Sequence, residues 1–185
     1  ELTRMDDVRF VRKLNPVLPV LARKDLKVPF ITCEEMLAHS AGRNVALWEL
    51  ACEYESMRGG ITREEIFEKM RAIVLVMQKS IAQGLKGTQY TDRILGPQSV
   101  SYQQHMRENK LVEGDVLNRV IMYTSAMMEV KSSMGVIVAA PTAGSCGALP
   151  GAVIGVAHTL SLPEDEIVKA MLAAGMIGVF IAAHA

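Results

Sequence analysis

Residues 140–151 hold the chain's densest set of groups able to do chemistry: Ala140-Pro141-Thr142-Ala143-Gly144-Ser145-Cys146-Gly147-Ala148-Leu149-Pro150-Gly151. A run this rich in glycine is costly in backbone entropy, so its use is to bring backbone close to something. Ala152–Ala157 continues as an apolar helix, and a loop leading into a helix N-terminus suits an anion. The Thr142 and Ser145 hydroxyls and the Gly144 and Gly147 N–H groups could hydrogen-bond a carboxylate. Turn and capping chemistry explains the same two hydroxyls equally well. Cys146, near a helix start, could be an acidified nucleophile or a small packing residue. Lys131, followed by Ser132 and Ser133, could act as a base or form a Schiff base. A solvated helix-end lysine is the plainer reading.

The remaining titratable residues suggest less. His39 and His105 read as surface residues, and His158 as a satisfied core histidine. His184 ends an apolar run. No two histidines and no His–carboxylate pair have metal-ligand spacing. Glu34-Glu35 and Glu64-Glu65 fall in first helical turns, where they complement the helix dipole. Cys33, Cys52 and Cys146 are widely spaced, so no metal site is expected within the stretch. Three cysteines without a secretory signal favour a reducing, cytoplasmic setting.

Zero formal net charge removes the electrostatic case for nucleic acid or anionic lipid, and leaves small-molecule or protein partners. Half of the 185 residues are hydrophobic, only 5 % are aromatic, and twelve are methionine. That mixture favours helices packed through small and flexible side chains. Residues 170–185 are almost wholly apolar but too short to span a bilayer, which suits a buried central helix. The chain begins with Glu1 and stops in mid-run, so a fragment of a longer chain is expected.

Elements that would position the loop follow from caps and periodicity. Prolines at 16, 19 and 29 make residues 1–30 an extended arm or interdomain connector. Thr32-x-x-Glu35 is a capping box opening a short helix that Gly42 stops. Asn44 is the expected cap of a second helix through Met57. Thr62-x-x-Glu65 opens the strongest helix, with Ile66, Met70, Ile73, Val74, Met77 and Ile81 on one face and Gly84 and Gly87 as terminators. Residues 86–110 read as an irregular loop. Asp115 caps a helix through about Met134, with Val116, Val120, Tyr123, Met127 and Val130 facing the core. Ala148–Thr159 is the next helix, with Pro150 in its first turn. Ser161-x-x-Glu164, with Pro163 at the first helical position, opens the last. No strand alternation and no repeat emerge. The expected class is all-α, with central buried Gly/Ala-rich helices and an extended Pro-containing N-terminal arm.

Glu129-Val130-Lys131-Ser132-Ser133-Met134-Gly135, then Ala140-Pro141-Thr142-Ala143-Gly144-Ser145-Cys146-Gly147 and Leu149-Pro150-Gly151, resemble the signature of iron–sulfur-dependent L-serine dehydratase (L-serine ammonia-lyase), α chain or α domain. Ala173-Ala174-Gly175-Met176-Ile177-Gly178 is similar to the next family segment, and the resemblance covers roughly residues 62–185. It implies that residues 31–185 are the N-terminal part of the α domain. It further implies conversion of L-serine to pyruvate and ammonia, a step of amino-acid catabolism and gluconeogenesis. In the family a [4Fe–4S] cluster acts as Lewis acid on the β-hydroxyl while a base removes the α-proton. The substrate-binding role falls on Thr142, Ala143, Gly144, Ser145 and Gly147, with Lys131, Ser132 and Cys146 as neighbours and the base unassigned. A serine dehydratase β domain or β chain and self-association are the implied partners.

The family's cluster cysteines lie in segments beyond residue 185, and Cys33, Cys52 and Cys146 do not match them. The stretch alone is therefore expected to be inactive. Three other readings stay open. One is a related lyase acting on another β-substituted amino acid such as L-cysteine. The second is a non-catalytic helical assembly module. The third is a pyridoxal-phosphate enzyme using Lys131.

Overall fold

The computed structural model describes residues 28–92, 96–140 and 142–184. Seven α-helices follow in order: α1 (Cys33–Ser40), α2 (Leu47–Gly59), α3 (Arg63–Leu85), α4 (Ser99–Arg107), α5 (Asp115–Ser132), α6 (Ala148–Thr159) and α7 (Glu164–His184). No strand occurs among the described residues, so the all-α class holds. Most of the expected arm, residues 1–27, lies outside the described residues. Phe30 is core: it is 2 % exposed and packs on His39, Tyr54 and Phe180, with ring centroids 5.5, 5.6 and 6.2 Å away.

Local capping rules place most helix starts. The Thr32–Glu35 and Thr62–Glu65 boxes both form, each hydroxyl accepting from the glutamate N–H and each carboxylate from the threonine N–H. Asn44 does not cap α2. Its N-cap is Ala46, whose N–H donates to the Glu49 carboxylate at 2.7 Å. Gly114, at φ +136°, precedes α5, and Asp115 is that helix's first residue rather than its cap. Ser161 does not open α7. It takes φ +54° and closes α6 in a Schellman turn, Leu162 N–H donating to Ala157 O at 2.9 Å. Within 86–110, expected as irregular, Ser99–Arg107 is helical. Its N-terminal cap is supplied by α5, so its own sequence carries little signal.

The core is organised around α5. Met122, Tyr123, Ala126, Met127 and Val130 are buried, between α3 on one side and α6 on another, while α7 packs on α2 and α3. Gly84, expected to stop α3, is instead inside the helix and buried; a Cβ there would lie 2.7–2.8 Å from the Ala126 carbonyl carbon and Cα. Gly87, at φ +98°, follows the helix end. Ile73 and Val116, both assigned to core faces, are exposed, because each lies at the edge of its apolar stripe. α7 is only half the expected buried helix: Val168, Met171, Leu172, Met176 and Phe180 enter the core, whereas Ile177 and Ile181 are exposed.

One ion cluster ties α1, α2 and α3. The Glu53 side chain, 15 % exposed, accepts from Arg43 Nη2 at 2.8 Å and Arg63 Nη2 at 3.3 Å, and lies 2.8 Å from His39 Nε2. The Arg43 guanidinium, opposed by burial and helped by His39, holds the carboxyl below the usual glutamate range. Because the folded-state value is depressed, the stabilisation is fully present above the unfolded glutamate pKa. It is lost as pH falls through the lower folded value, on the acid side of about pH 4. Glu53→Gln is expected to lower stability near neutral pH and to flatten the acid limb of a urea-denaturation profile. An acid limb unchanged in slope would refute this.

Candidate functional site

The glycine-rich loop is held at both ends. Upstream, α5 closes in a Schellman turn: Gly135 N–H donates to Val130 O at 2.9 Å and Met134 N–H to Lys131 O at 3.1 Å. Met134 occupies the left-handed position at φ +58° with its side chain in solvent. A non-glycine residue there is strained by roughly 1 kcal/mol. Met134→Gly is therefore expected to raise stability by about that amount, read as a shift of the denaturation midpoint; a loss would show that the Met134 side chain is needed. Ser80 Oγ, buried on α3, then pins the outgoing backbone through Val136 O at 2.7 Å.

Downstream, α6 meets α5 backbone to backbone along a glycine row. A Cβ at Gly147 would lie 2.9 Å from Thr124 O and 3.0 Å from Met128 Cγ. One at Gly151 would collide with Thr124 Oγ1 and lie 2.9 Å from Thr124 N. One at Gly155 would lie 3.1 Å from Val120 Cα. The spacing of four on both helices keeps these residues in register as the helices run antiparallel. Buried Pro150 occupies the first turn of α6, where no N–H is needed.

Between these anchors, Ala143–Ser145 form a single 3-10 turn. Thr142 Oγ1 accepts from Ser145 N–H at 3.3 Å, and Ser145 Oγ accepts from Thr142 N–H at 3.3 Å. The two hydroxyls lie 3.0 Å apart, and Ser145 Oγ is 3.1 Å from Ala140 O, to which it can donate. Thr142, Ala143 and Gly144 are exposed and Ser145 half-buried. The structure thus gathers Thr142, Ala143, Gly144 and Ser145 in one accessible turn, with Gly147 buried as its footing on α5. Pro141 lies outside the described residues.

The neighbouring side chains divide. Cys146 is fully buried, its Sγ 3.9 Å from Met128 Sδ. Burial pushes its thiol up, and the nearby Lys131 charge opposes that only in part. The geometry is that of packing, not of an exposed thiolate nucleophile. Lys131 is half-buried in the last turn of α5, where a cation complements the helix dipole. Ser132 is exposed and donates back to Met128 O at 2.8 Å. His158, expected in the core, sits at the surface, but its Nδ1 is 2.9 Å from the hydroxyl of buried Tyr123.

Glu129 escaped the residue-by-residue reading. Its Oε1 accepts from the N–H groups of Gln98 at 2.6 Å and Ser99 at 2.7 Å, and its Oε2 from Ser99 Oγ at 2.7 Å. It is the N-terminal cap of α4, supplied from α5. A signal was present: a glutamate near the end of α5 is unfavourable to that helix's own dipole, so it had to serve another element. Beside it opens a cleft of about 280 Å³ lined by Gly96, Gln98, Thr124, Ser125, Met128, Glu129 and Ser132. Neither this cleft nor a separate apolar groove between α2, α3 and α7 is lined by residues 142–147. Among the described residues no group of three or more His, Cys, Asp or Glu could hold a metal ion. Among them, too, no helix is long and apolar enough to cross a membrane.

Comparison with known proteins agrees with the loop signature. The family model for the serine dehydratase alpha chain matches residues 42–185. A probable L-serine dehydratase, alpha chain, of Bacillus subtilis (strain 168) is 31% identical over 124 residues, 67% of this chain and 41% of the relative. The L-serine dehydratase, alpha chain, of Peptoniphilus asaccharolyticus is 28% identical over 155 residues, 83% of this chain and 53% of the relative. L-serine dehydratase 1 of Escherichia coli (strain K12) is 29% identical over 160 residues, 81% of this chain and 34% of the relative. The chain thus spans about half or less of the length of these relatives. A match that takes in α2 to α7 and the whole glycine-rich loop places this chain in the serine dehydratase alpha chain family.

Proposed function

We propose that this chain forms part of an L-serine ammonia-lyase and that its 142–147 turn binds the substrate carboxylate. The observation that carries the reading is the accessible Thr142–Ser145 turn, built on the Gly147 and Gly151 contacts and lying inside the matched family segment. In the reaction L-serine loses its α-proton to a base and its β-hydroxyl as water. The resulting aminoacrylate becomes an imine and hydrolyses to pyruvate and ammonia. Hydroxyl and N–H donors of the turn hold the carboxylate, which fixes the Cα–H and Cβ–O bonds relative to the base and to the leaving group's acceptor.

A [4Fe–4S] cluster requires thiolates gathered on one centre. Here Cys33 is exposed on α1, Cys52 is buried in α2, and Cys146 is buried against Met128 of α5. Burial pushes the Cys52 and Cys146 thiols up. These cysteines do not fit a cluster; in the proposed complete enzyme its ligands lie outside residues 1–185. Exposed Leu160 and Leu162, between α6 and α7, and Ile177 and Ile181, on α7, are apolar side chains on which the rest of that enzyme, including a β domain or β chain, would pack.

The test is a serine-to-pyruvate assay, made without oxygen, on the full-length protein containing these residues together with its β domain or β chain, with iron and sulfide measured in the same samples. Pyruvate formed from L-serine and not from L-cysteine supports the reading. Turnover of L-cysteine alone, or of neither by an iron-loaded assembly, sinks it.

A further inference from the structure

We infer that Glu129 is an ammonium-binding residue, and that the cleft it lines takes the amino group of a small amino acid. The inference rests on the reading above that the ligand is L-serine or a close analogue. The cleft lies against the same stretch of α5 that supports the loop: Thr124 and Met128 both line it and both meet Gly147. At about 280 Å³ it suits a ligand of amino-acid size rather than a larger cofactor.

Its chemistry is that of an ammonium acceptor. Among the described residues, Glu129 carries the only formal charge in the lining. A carboxylate offers about four lone-pair directions, and three are taken by Gln98 N–H, Ser99 N–H and Ser99 Oγ–H. Those bonds immobilise the side chain and leave Oε2 with capacity for one more donor. The Ser125 hydroxyl, one helical turn before Glu129 and also in the lining, makes no side-chain hydrogen bond among the described residues. A fixed carboxylate with one hydroxyl beside it matches the donors of an R–NH3⁺ group, and charge-assisted bonds of this kind are the strong ones. None of residues 142–147 lines the cleft, so the Glu129 contact to an amine is tested independently of the loop.

Glu129→Gln separates this role from capping. The amide oxygen can still accept from Gln98 and Ser99 N–H, and the NH2 can donate to Ser99 Oγ, whose proton then goes to Gly84 O, now 3.1 Å away. Three probes would be titrated calorimetrically into the purified protein and its variants: L-serine, ethanolamine (amine without carboxylate) and 3-hydroxypropanoate (carboxylate without amine). E129Q is expected to weaken L-serine and ethanolamine at least tenfold and to change 3-hydroxypropanoate less than twofold. Equal weakening of all three, no weakening, or no ethanolamine binding by the wild type overturns the inference. Should E129Q not fold, amide shifts induced by ethanolamine in the wild type decide instead: shifts at Gln98, Ser125 and Glu129 support the site, and shifts elsewhere overturn it. The loop has its own control, since T142A/S145A should weaken 3-hydroxypropanoate and spare ethanolamine. If that variant leaves 3-hydroxypropanoate unchanged, the loop reading fails while the ethanolamine result still judges Glu129.

Discussion

Gly151→Ala is expected to lower stability by roughly 3 kcal/mol, about 6–12 °C in melting midpoint for a chain of this size. Ala is the better helix former by about 1 kcal/mol, so the sign runs against propensity. What opposes the substitution is backbone: the new Cβ would meet Thr124 N at 2.9 Å and Cα at 3.0 Å, and neither can swing aside as a flexible side chain would. The helices would have to separate, loosening the packing around buried Met127 on α5 and Ile154 on α6. Gly84→Ala should behave alike, for the same reason at the α3–α5 crossing. Gly175→Ala is the control. It also lies within a helix, but nothing stands within 4 Å of its added Cβ, so a gain of about 0.5–1 kcal/mol is expected. Thermal denaturation of the three variants checks the set. A Gly151→Ala midpoint at or above wild type would show that α5 and α6 do not cross as closely as described.

Thr142→Ala/Ser145→Ala is expected to lower kcat/KM of the assembled enzyme for L-serine by about 10–100-fold, from the loss of hydrogen bonds to a charged group worth about 1.5–3 kcal/mol. The melting midpoint should move by only about 2 °C, since these hydroxyls bond only to each other and to neighbouring backbone on an exposed turn. The two readouts separate the alternatives that sequence left open. Lost activity with stability retained means substrate contact. Lost stability with activity retained means capping alone.

Helix starts were legible wherever a cap is local. Thr32 and Thr62 each face a glutamate three residues on, and both boxes form as written in the sequence. α6 runs over the expected residues because a proline in its first turn and an apolar run suffice to define it. Asn44 and Ser161 misled because a capping residue type is also a turn residue type, and only neighbouring backbone decides between them. α4 was missed because its cap, Glu129, is 30 residues away from Ser99 in sequence. Glycine was ambiguous for a related reason. Gly60 ends α2 in the left-handed conformation as a terminator should, whereas Gly84 is helical and buried. Absence of a side chain permits both uses.

The candidate site shows the same division. Residue types and order in 140–151 were enough to mark the loop and, with 129–135 and 173–178, to give its family likeness, while caps and periodicity along the chain set the all-α class. Those properties depend on short-range chemistry: caps, periodicity, and a contiguous motif. Tertiary structure alone decided that Cys146 is enclosed rather than exposed, that Thr142 and Ser145 bond to each other, and that Glu129 serves a helix other than its own. Each of these depends on where α5 lies against α4 and α6. That placement is set by backbone contact at Gly84, Gly147, Gly151 and Gly155, positions whose importance lies in a side chain they lack and a partner distant in sequence.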